Sequence, residues 1–419
     1  MEFAGDSRPD IIIIGAGIVG LSAAFSLQQK GYSVLILDRK GPAAEASRGN
    51  AGAFAFSEII PLATPGIMNK APRWLLDPLG PLSIPPRYAV KLLPWMVRFW
   101  RACRPERVES GIYAQSDLMN LSKHALLPFL KKTGTGSMLR RDGNLQLYES
   151  RSEFEASLPY WNARERCDIP FEHVHGSYAI SQYQPGLSKR FVSATFTPEW
   201  YSISDPLEFA LTIADIIDNR GGRLETAEAV AIEPQSNGAS VKCADGRQFS
   251  AGKVIVCAGA WSHKLAETLG ERIPLETERG YNTTLPDSGF DLRTQLTFGA
   301  HGFVVTKLSS GIRVGGAVEL GGLTAPPNFQ RAEALLAKAK SFLPDLQTEG
   351  GTQWMGFRPS LPDTLPVIGP SGKSDNIIYA FGHGHLGLTQ SAGTAMLVSE
   401  LVDGEDSSID LRPFRADRF

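Results

Sequence analysis

The first forty residues of the chain pass from a buried apolar run to a helical pattern and back. Residues 10–16 hold four consecutive isoleucines, which is typical of a strand buried on both faces. Glycines interrupt this run, and LSAAFSLQQKG then predicts a helix that ends near Gly31. SVLILD at 33–38 predicts a second buried strand, so the chain opens with a βαβ unit.

The segment 59–103 differs from this opening because it is rich in Pro, Trp and Leu. Its prolines argue against long regular structure up to about residue 87. RYAVKLLPWMVRFWRACR then predicts a helix with a proline near its middle. Residues 111–133 predict another helix, and GNLQLYES predicts a strand.

The rest of the chain mixes helix and strand patterns. Asp205 is the predicted N-cap of the helix DPLEFALTIADIIDNRGG, which ends at glycines. A hairpin turned at Asp245-Gly246 and a buried strand at 253–258 follow. Residues 290–322 are strand-rich, and NFQRAEALLAKAKSFLP predicts an amphipathic helix. Because βαβ-like pieces occur at the start, middle and end, we expect an α/β fold with a discontinuous nucleotide domain.

Composition and charge narrow the classes of protein. A length of 419 residues favours two domains or one large composite. A net charge of −2 provides no basic field that would recruit nucleic acid. The four cysteines include no CxxC pair, which argues against a zinc ribbon, a disulfide framework or a thioredoxin-like site. The acidic start MEFAGDSRPD and the short apolar run predict neither a signal peptide nor a membrane span, which fits a cytoplasmic protein.

The loop between the first strand and the first helix has the pattern GxGxxG. Its first glycine allows a tight turn, the second lets the backbone approach a pyrophosphate, and the third lets helix and strand pack closely. The pyrophosphate would meet the helix N-terminus. Asp38 ends the second strand at the spacing expected for binding ribose hydroxyls. The motif residues are Gly15, Gly17, Ile18, Val19 and Gly20.

Two further segments bear on the choice between NAD and FAD, because Asp38 argues only against a 2′-phosphate. KVIVCAGAWS at 253–262 is a late strand that ends in a small Ala-Gly turn, where the chain can approach the same cofactor. SRGNAGAF at 47–54 is a second loop of small residues with an amide. Neither segment belongs to a simple NAD domain, which argues against an NAD(P)-dependent reductase.

The motifs, taken in order, resemble those of the D-amino-acid-oxidase-like flavoproteins, which include glycine oxidase and sarcosine oxidase. The resemblance runs from about residue 10 to about residue 400 and is carried by GAGIVG, Asp38-Arg39, SRGNAG, VIVCAGAWS, WMGFRPSLPDTLPVIG and YAFGHGHLGLT. The D-amino acid dehydrogenase branch is the most similar, because it shares the Asn-Ala-Gly loop and the Gly-His-Gly-His segment.

This resemblance implies FAD held without a covalent bond, since no cysteine here falls on a segment that matches a covalent link. It implies a discontinuous Rossmann-like FAD-binding domain (1–60, 200–268 and 350–419) and a substrate domain built on a large mixed β-sheet (61–199 and 269–349). Beyond the GxGxxG residues, the expected cofactor contacts are Asp38 and Arg39 at the ribose; Ser47, Gly49, Asn50, Ala51 and Gly52 along the ribityl chain and ring; Val230 at the adenine; Ala258, Gly259 and Trp261; and Gly356, Gly384, Leu386, Gly387, Leu388 and Thr389.

Arg358 in GFRPSLPD is the residue that would bind the substrate carboxylate. A guanidinium offers a planar, permanently charged fork, and the family's arginine in this motif has that role. The alternative is a structural ion pair with Asp363 in the same loop. Tyr281 in ERGYN is expected to donate its hydroxyl to the same carboxylate, or else only to pack. Arg279, on the same strand face, is a weaker candidate.

The segment GHGHLGLT predicts a helix that starts at about Leu386, with its N-terminal amides facing the flavin. Those amides and the helix dipole would stabilise the negative charge of the reduced flavin. His383 and His385 are candidates for orienting the amine or accepting a proton, or else they make only backbone hydrogen bonds. Zinc is disfavoured, because no third ligand has suitable spacing.

The resemblance therefore implies oxidative deamination of a D-amino acid, with electrons passed to a quinone or carrier. Alternatives are a sarcosine- or glycine-oxidase-like enzyme that uses oxygen, and a flavin-carrying relay subunit of a larger complex. The basic and aromatic residues of 87–103 suit peripheral contact with the inner face of the cell membrane. They also suit a helix packed on the substrate domain. No pattern in the sequence indicates an oligomeric state.

Overall fold

The computed structural model describes residues 8–67, 80 and 82–419. Its helices are α1 Ile18–Gln29, α2 Pro86–Ala102, α3 Pro105–Thr133, α4 Arg151–Arg166, α5 Ser177–Tyr183, α6 Pro206–Asn219, α7 Ser262–Thr268, α8 Gln330–Phe342 and α9 Gly387–Asp403. Its strands are β1 Ile11–Ile14, β2 Val34–Asp38, β3 Ala53–Ala55, β4 Leu82–Ser83, β5 Leu139–Arg140, β6 Asn144–Tyr148, β7 Glu172–His175, β8 Ser193–Thr197, β9 Trp200–Ile203, β10 Arg223–Thr226, β11 Ala229–Gln235, β12 Gly238–Cys243, β13 Gln248–Ala251, β14 Lys253–Val256, β15 Glu276–Leu285, β16 Gln295–Phe298, β17 Phe303–Leu308, β18 Gly311–Glu319, β19 Thr352–Ser360, β20 Val367–Ser371 and β21 Ser374–Phe381.

The first sheet has the order β10-β2-β1-β14-β21-β20, and its strands are parallel except that β20 runs antiparallel to β21. Every residue of β1 is buried, because alternate side chains face two different layers. Ile11 and Ile13 pack on a cluster that contains α1 and α6, and Ile12 and Ile14 pack on one that contains the small sheet β11-β12-β13. The predicted βαβ unit is confirmed. The continuous apolar run of β1 follows from its position in a parallel sheet that is covered on both faces.

A larger mixed sheet supplies the other half of the molecule. Among the described strands its order is β19-β15-β18-β17-β16-β6-β8-β7, with β4 paired to β18. The strand β19 lies in this sheet and pairs with β15 throughout its length, although the sequence grouped 350–419 with the nucleotide segments. The helix α3, from the segment grouped with the substrate domain, packs on α9. The division into domains stays a prediction.

The predicted helices at α2, α3, α6, α8 and α9 are confirmed, and α3 begins several residues earlier than expected. Asp205 caps α6 as predicted, since its Oδ1 accepts hydrogen bonds from Leu207 N at 2.8 Å and Glu208 N at 3.2 Å. The sequence did not predict α4, although Ser150 and Glu153 have capping-box spacing and Ser150 Oγ accepts from Glu153 N. Within the described ranges, no helix is both long and apolar enough to cross a bilayer.

Candidate active site

A cavity of about 570 Å³ lies where the loops of the parallel sheet meet the mixed sheet. Its walls include the 46–51 loop, the neighbouring strands β15, β18 and β19, and the segment 380–389. All four residues predicted to be catalytic lie along it: Arg358, Tyr281, His383 and His385. The sequence motifs therefore converge on one place, although they are separated by up to hundreds of residues in the chain.

The glycine loop before α1 has the tight packing that its motif predicts. Gly15 has a φ of +110°, and a Cβ built there would overlap the carbonyl oxygen of Cys257. A Cβ at Gly20 would overlap the Gly15 carbonyl. Asp38 holds the same turn, because its Oδ2 accepts a hydrogen bond from Ala16 N at 2.8 Å. Only glycine fits these two positions.

The other predicted cofactor residues divide into two groups. Those that line the cavity are Gly17, Ile18, Val19, Ser47, Gly49, Asn50, Ala51, Gly259, Gly356, Gly384, Leu386, Gly387, Leu388 and Thr389. Those that lie beyond its described lining are Gly15, Gly20, Asp38, Arg39, Gly52, Val230, Ala258 and Trp261. In the second group, the Arg39 guanidinium lies 3.6 Å from the ring centre of Trp261. Val230 sits at an irregularity in the pairing of β11 with β12, which leaves its backbone outside the regular ladder.

Three side chains of the mixed sheet hold the 47–52 loop. Asn282 Nδ2 donates to the Gly49 carbonyl at 2.9 Å, and Arg313 Nη1 donates to the Asn50 carbonyl. The ring of Trp354 occupies the space that a Cβ at Gly49 would need. The sequence analysis assigned none of the three a role, although Asn282 lies in ERGYN and Trp354 in WMGFRPSLPD, because these contacts depend on how β15, β18 and β19 align.

Arg358 places its guanidinium in the cavity with its charge unpaired among the described residues. Nη1 donates to the Ala317 carbonyl at 3.0 Å. The alternative pairing with Asp363 does not occur, since Asp363 binds Arg418 at 2.8 Å. Burial lowers the pKa of Arg358, and the nearby Glu278 carboxylate acts in the opposite direction. The guanidinium is thus available to an anion in the cavity.

Tyr281 lines the cavity, but its hydroxyl is directed elsewhere. The hydroxyl donates to Glu319 Oε2 and accepts from Asn328 N at 3.1 Å. Burial raises the Tyr281 pKa to about 12. Arg279, which shares this face of β15 as expected, also reaches Glu319, at 3.3 Å. The other face of β15, whose residues alternate with Arg279 and Tyr281, directs its side chains into the cavity.

The cavity face of β15 carries Glu278, Gly280 and Asn282, spaced two residues apart as a strand requires. Ser360 Oγ donates to Glu278 Oε1 at 2.6 Å. Elsewhere in the cavity lining, Glu58 lies 3.3 Å from Arg164, whose guanidinium also stacks on Trp161. Sequence reasoning missed these charges because it selected the other face of β15 and left 151–166 without an assigned helix.

The two histidines of GHGHLGLT have different surroundings. His383 is 4% exposed, and its Nε2 lies 3.0 Å from Thr394 Oγ1 on α9. Burial lowers the pKa of His383 to about 3. The open surface of His385 faces into the cavity, where burial and the Arg358 charge lower its pKa while Glu278 and Glu58 raise it. Both imidazoles are therefore expected to be neutral at pH 7.

The start of α9 lies at the cavity with Leu386 as its N-cap. The N–H groups of Gly387, Leu388 and Thr389 have no partner within the helix, because the carbonyls four residues earlier lie before its start. Together with the glycine loop before α1, this gives two helix N-termini directed at the same ligand region. A dinucleotide cofactor fits the cavity that Gly17, the 46–51 loop and the start of α9 line together. In the described part of the chain, no cluster of His, Cys, Asp or Glu suits a metal ion.

The chain is similar to several known proteins over nearly its whole length. The family model described as "DAO: FAD dependent oxidoreductase" matches residues 10–401. A D-amino-acid oxidase from Bradyrhizobium diazoefficiens is 33% identical over 416 residues, which cover 98% of this chain and 98% of the relative. A D-amino acid dehydrogenase from Rhizobium johnstonii is 31% identical, covering 98% of this chain and 99% of that one. A solved structure of glycine oxidase from Geobacillus kaustophilus superposes with a TM-score of 0.77 at 20% identity, over 98% of this chain and 99% of that one.

Proposed function

Because the chain belongs to the DAO family of FAD-dependent oxidoreductases, we propose that it oxidatively deaminates a D-amino acid to the 2-oxo acid and ammonia. The single observation that carries this proposal is the Arg358 guanidinium, which faces the cavity with no described carboxylate bound to it. The relatives named D-amino-acid oxidase and D-amino acid dehydrogenase support the substrate class. The expected cofactor, FAD, and the α/β fold with its mixed sheet are confirmed by the family match and the solved neighbour.

FAD would be held by the glycine loop, the 47–52 loop and the start of α9, and when bound it accepts two electrons and hydrogen from the amine carbon. In the substrate the Cα–H bond breaks, its hydrogen leaving with both bonding electrons, and the nitrogen then gives up a proton as the C–N single bond becomes an imine. Water then hydrolyses the imino acid to the 2-oxo acid and ammonia. The residues of the chain have to bind the substrate, orient it and control its protons.

Arg358 is the residue that binds the substrate carboxylate. Its guanidinium lies over Gly280 and is fixed by the Ala317 carbonyl, so the remaining N–H groups form a fork toward the cavity. Burial strengthens an ion pair formed there, because water competes less for both charges. The position of the carboxylate fixes where Cα lies.

His385 is the residue that we assign to the substrate amine. Its neutral imidazole can accept a hydrogen bond or a proton from an ammonium group, which must become neutral before the Cα–H bond is broken. Glu278 and Glu58 favour a positive charge near His385, and Arg358 opposes it. The two acids therefore attract the ammonium end of the substrate, and Arg358 attracts its carboxylate end.

The start of α9 contributes the unpaired N–H groups of Gly387, Leu388 and Thr389. Oriented amides and the helix dipole favour negative charge at the ligand beside them. This supports a cofactor that gains charge during the reaction. A relay subunit without substrate would not need the carboxylate fork of Arg358, so catalysis is the better proposal.

The electron acceptor that we propose is a quinone or carrier, reached through peripheral contact with the inner face of the cell membrane. Supporting this, α2 exposes an apolar stripe in which Val90 is 76%, Leu93 58%, Val97 46% and Trp100 56% exposed. Its opposite face is buried through Leu92 and Trp95 against Leu320. The exposed cations Arg87, Lys91, Arg98 and Arg101 flank the stripe. The sequence from 85 to 104 contains no Asp or Glu. This charge pattern suits an anionic lipid surface.

Sedimentation with lipid vesicles tests the membrane proposal. The protein should bind vesicles that contain phosphatidylglycerol and stay in solution with phosphatidylcholine alone. Leu93→Ser and Trp100→Ser should abolish binding, whereas Tyr178→Ser, at an exposed aromatic residue on another helix, should leave it unchanged. Protein that remains in solution with both vesicle types would rule the membrane contact out.

Anaerobic bleaching of the visible flavin band tests the enzymatic proposal. A panel of D- and L-amino acids, glycine and N-methylglycine is added to the oxidised protein, and D-amino acids alone should bleach it. Arg358→Lys should lower kcat/KM by about 10- to 100-fold through loss of the bidentate contact, while Arg418→Lys, at the arginine that binds Asp363, serves as the matched control. Bleaching by N-methylglycine or glycine instead would assign a sarcosine- or glycine-oxidase-like activity. The speed of reoxidation in air then separates oxygen from a quinone as acceptor.

A further inference from the structure

A second guanidinium, that of Arg313 on β18, also lines the cavity. Its Nε donates to Thr284 Oγ1 at 2.9 Å, and its Nη1 donates to the Asn50 carbonyl. Both of these partners are neutral. No carboxylate of the described residues forms an ion pair with it. Arg313 is therefore a partly buried cation whose described contacts leave its charge uncompensated.

Burying such a charge is costly unless an anion or a set of hydrogen bonds compensates it. The acid that acts on Arg313 from a distance is Asp205. Its oxygens are already used, because Oδ1 accepts from the first turn of α6 and Oδ2 accepts from Ser310 Oγ at 3.1 Å. Burial accordingly lowers the pKa of Arg313. The position favours a negative partner that comes from outside the protein.

We assign the substrate carboxylate to Arg358, so Arg313 requires another partner. Arg358 binds the carbonyl of Ala317, which lies four residues beyond Arg313 on the same strand. At a rise of ~3.3 Å per residue, the two positions on β18 are about 13 Å apart. Each guanidinium is held by a different carbonyl, that of Arg358 by Ala317 and that of Arg313 by Asn50, so we assign the two to different parts of the bound ligands. Arg313 instead contacts Asn50, in the loop that runs beside the flavin in our proposal.

We propose that Arg313 is an electrostatic tuning residue for bound FAD, and that its positive charge stabilises the negative charge that the flavin gains on reduction. Its effect is to raise the reduction potential of FAD, which makes the cofactor a better acceptor of electrons from an amine. This role is separate from that of Arg358, which acts on the substrate. The inference needs FAD and does not depend on which amine is oxidised.

The test compares variants by the anaerobic redox equilibrium between bound FAD and a reference dye, without any substrate. Arg313→Met should shift this equilibrium toward oxidised FAD by at least about tenfold, which is ~30 mV for a two-electron couple. Arg313→Lys keeps the positive charge. On a logarithmic scale it should therefore shift the equilibrium less than half as far as Arg313→Met does. Arg247→Met removes the charge of an exposed arginine outside the described lining of the cavity, and should leave the equilibrium within about twofold of the wild type.

A separate measurement of FAD affinity in the oxidised state excludes the competing explanation. If Arg313 served an anionic group that is the same in both redox states, such as the pyrophosphate, Arg313→Met would weaken FAD binding and leave the dye equilibrium unchanged. That result would overturn the proposal. If Arg313→Met retains no FAD, the variant Asp205→Asn tests the proposal instead. Asn still caps α6, while the negative charge of Asp205, which opposes that of Arg313, is lost. The equilibrium should then move toward reduced FAD, and an unchanged equilibrium would reject the inference.

Because no substrate is used, this result is independent of the D-amino acid assignment. A protein that shows the predicted shift without being bleached by D-amino acids would keep the role of Arg313 and lose the proposed substrate. The reverse outcome would keep the substrate and remove the tuning role.

Discussion

The guanidinium of Arg358 lies directly over the backbone of Gly280, where a Cβ would overlap its Nη2. The two residues belong to neighbouring strands, β19 and β15, in which Arg358 pairs with Glu278 and Gly356 pairs with Gly280. A side chain at 280 would displace the guanidinium from this position. The absence of a side chain at Gly280 is therefore a condition for the position of the carboxylate-binding residue.

Gly280→Ala should displace Arg358 without unfolding the protein, because the overlapping atoms are the far end of a flexible side chain. We expect kcat/KM to fall by about 10- to 100-fold, mainly through KM, since a displacement of about 1 Å is enough for such a loss. Steady-state kinetics and thermal denaturation measure the two effects. Gly136→Ala, at a glycine whose Cβ would meet no atom, is the control. Unchanged kinetics in Gly280→Ala would show that Arg358 does not bind substrate from this position.

Local patterns predicted much of this site, but only where the signal lies within one segment. The glycine loop at Gly15 and the helix start at Leu386 are local, because turn geometry and a helix N-terminus are encoded by adjacent residues. Asn282 and Arg313 act on the 49–50 carbonyls from strands more than 200 residues away, so their roles depend on sheet register. Register across a large mixed sheet has no local signature.

Tyr281 illustrates the same limit on the scale of one strand. Alternation along β15 was expected to place Tyr281 and Arg279 on one face, and the structure places both against Glu319. Which of the two faces carries side chains into the cavity depends on the partner strands. The alternation rule identifies the residues that share a face but not the layer that the face contacts.

Tyr281→Phe should reduce stability more than activity. The hydroxyl donates to the buried Glu319, so its loss leaves a charged acceptor with fewer donors, at a cost of about 1–3 kcal/mol in the free energy of unfolding. We expect kcat/KM to stay within about threefold of the wild type. Tyr379→Phe is a matched control. The Tyr379 hydroxyl also donates to a carboxylate, that of Glu271 at 2.6 Å, but this pair lies outside the described lining of the cavity. A 100-fold loss of kcat/KM with unchanged thermal stability would instead give the Tyr281 hydroxyl a role in substrate binding.

His383 should make the stability of the protein fall in mild acid. In the unfolded chain histidine titrates near pH 6.5, but burial lowers the pKa of His383 to about 3 in the fold. Below pH 6.5 the unfolded state therefore binds a proton that the folded state does not, so stability rises with pH between about 3 and 6.5. The loss from pH 7 to pH 5 is about 2 kcal/mol. Denaturation at both pH values should show this loss in the wild type and a smaller loss in His383→Asn. His124→Gln, on the exposed side of α3, is the control and should lose as much stability as the wild type. Equal losses in all three proteins would contradict the role of His383.

FAD should be released when the protein is precipitated with acid. Cys257 lines the cavity, yet burial raises the pKa of its thiol to about 12, which leaves almost no reactive thiolate at neutral pH. The yellow colour is expected in the supernatant, and its absorbance there should account for all of the bound flavin. Colour that stays in the pellet of the wild type and disappears from the pellet of Cys257→Ser would identify a covalent link at this residue.

Glu58→Gln should shift the acid limb of the kcat/KM profile to lower pH. Burial and Arg358 lower the pKa of His385, while Glu278 and Glu58 raise it. Removing the Glu58 charge removes one of the two influences that favour the imidazolium, so His385 remains a neutral base at lower pH. The direction follows from the sign of the lost charge, and the 3.3 Å contact with Arg164 moderates its size. Glu349→Gln, at an exposed acid on a loop, should leave the profile in place. An acid limb that stays in place in Glu58→Gln would mean that its titrating group is not His385.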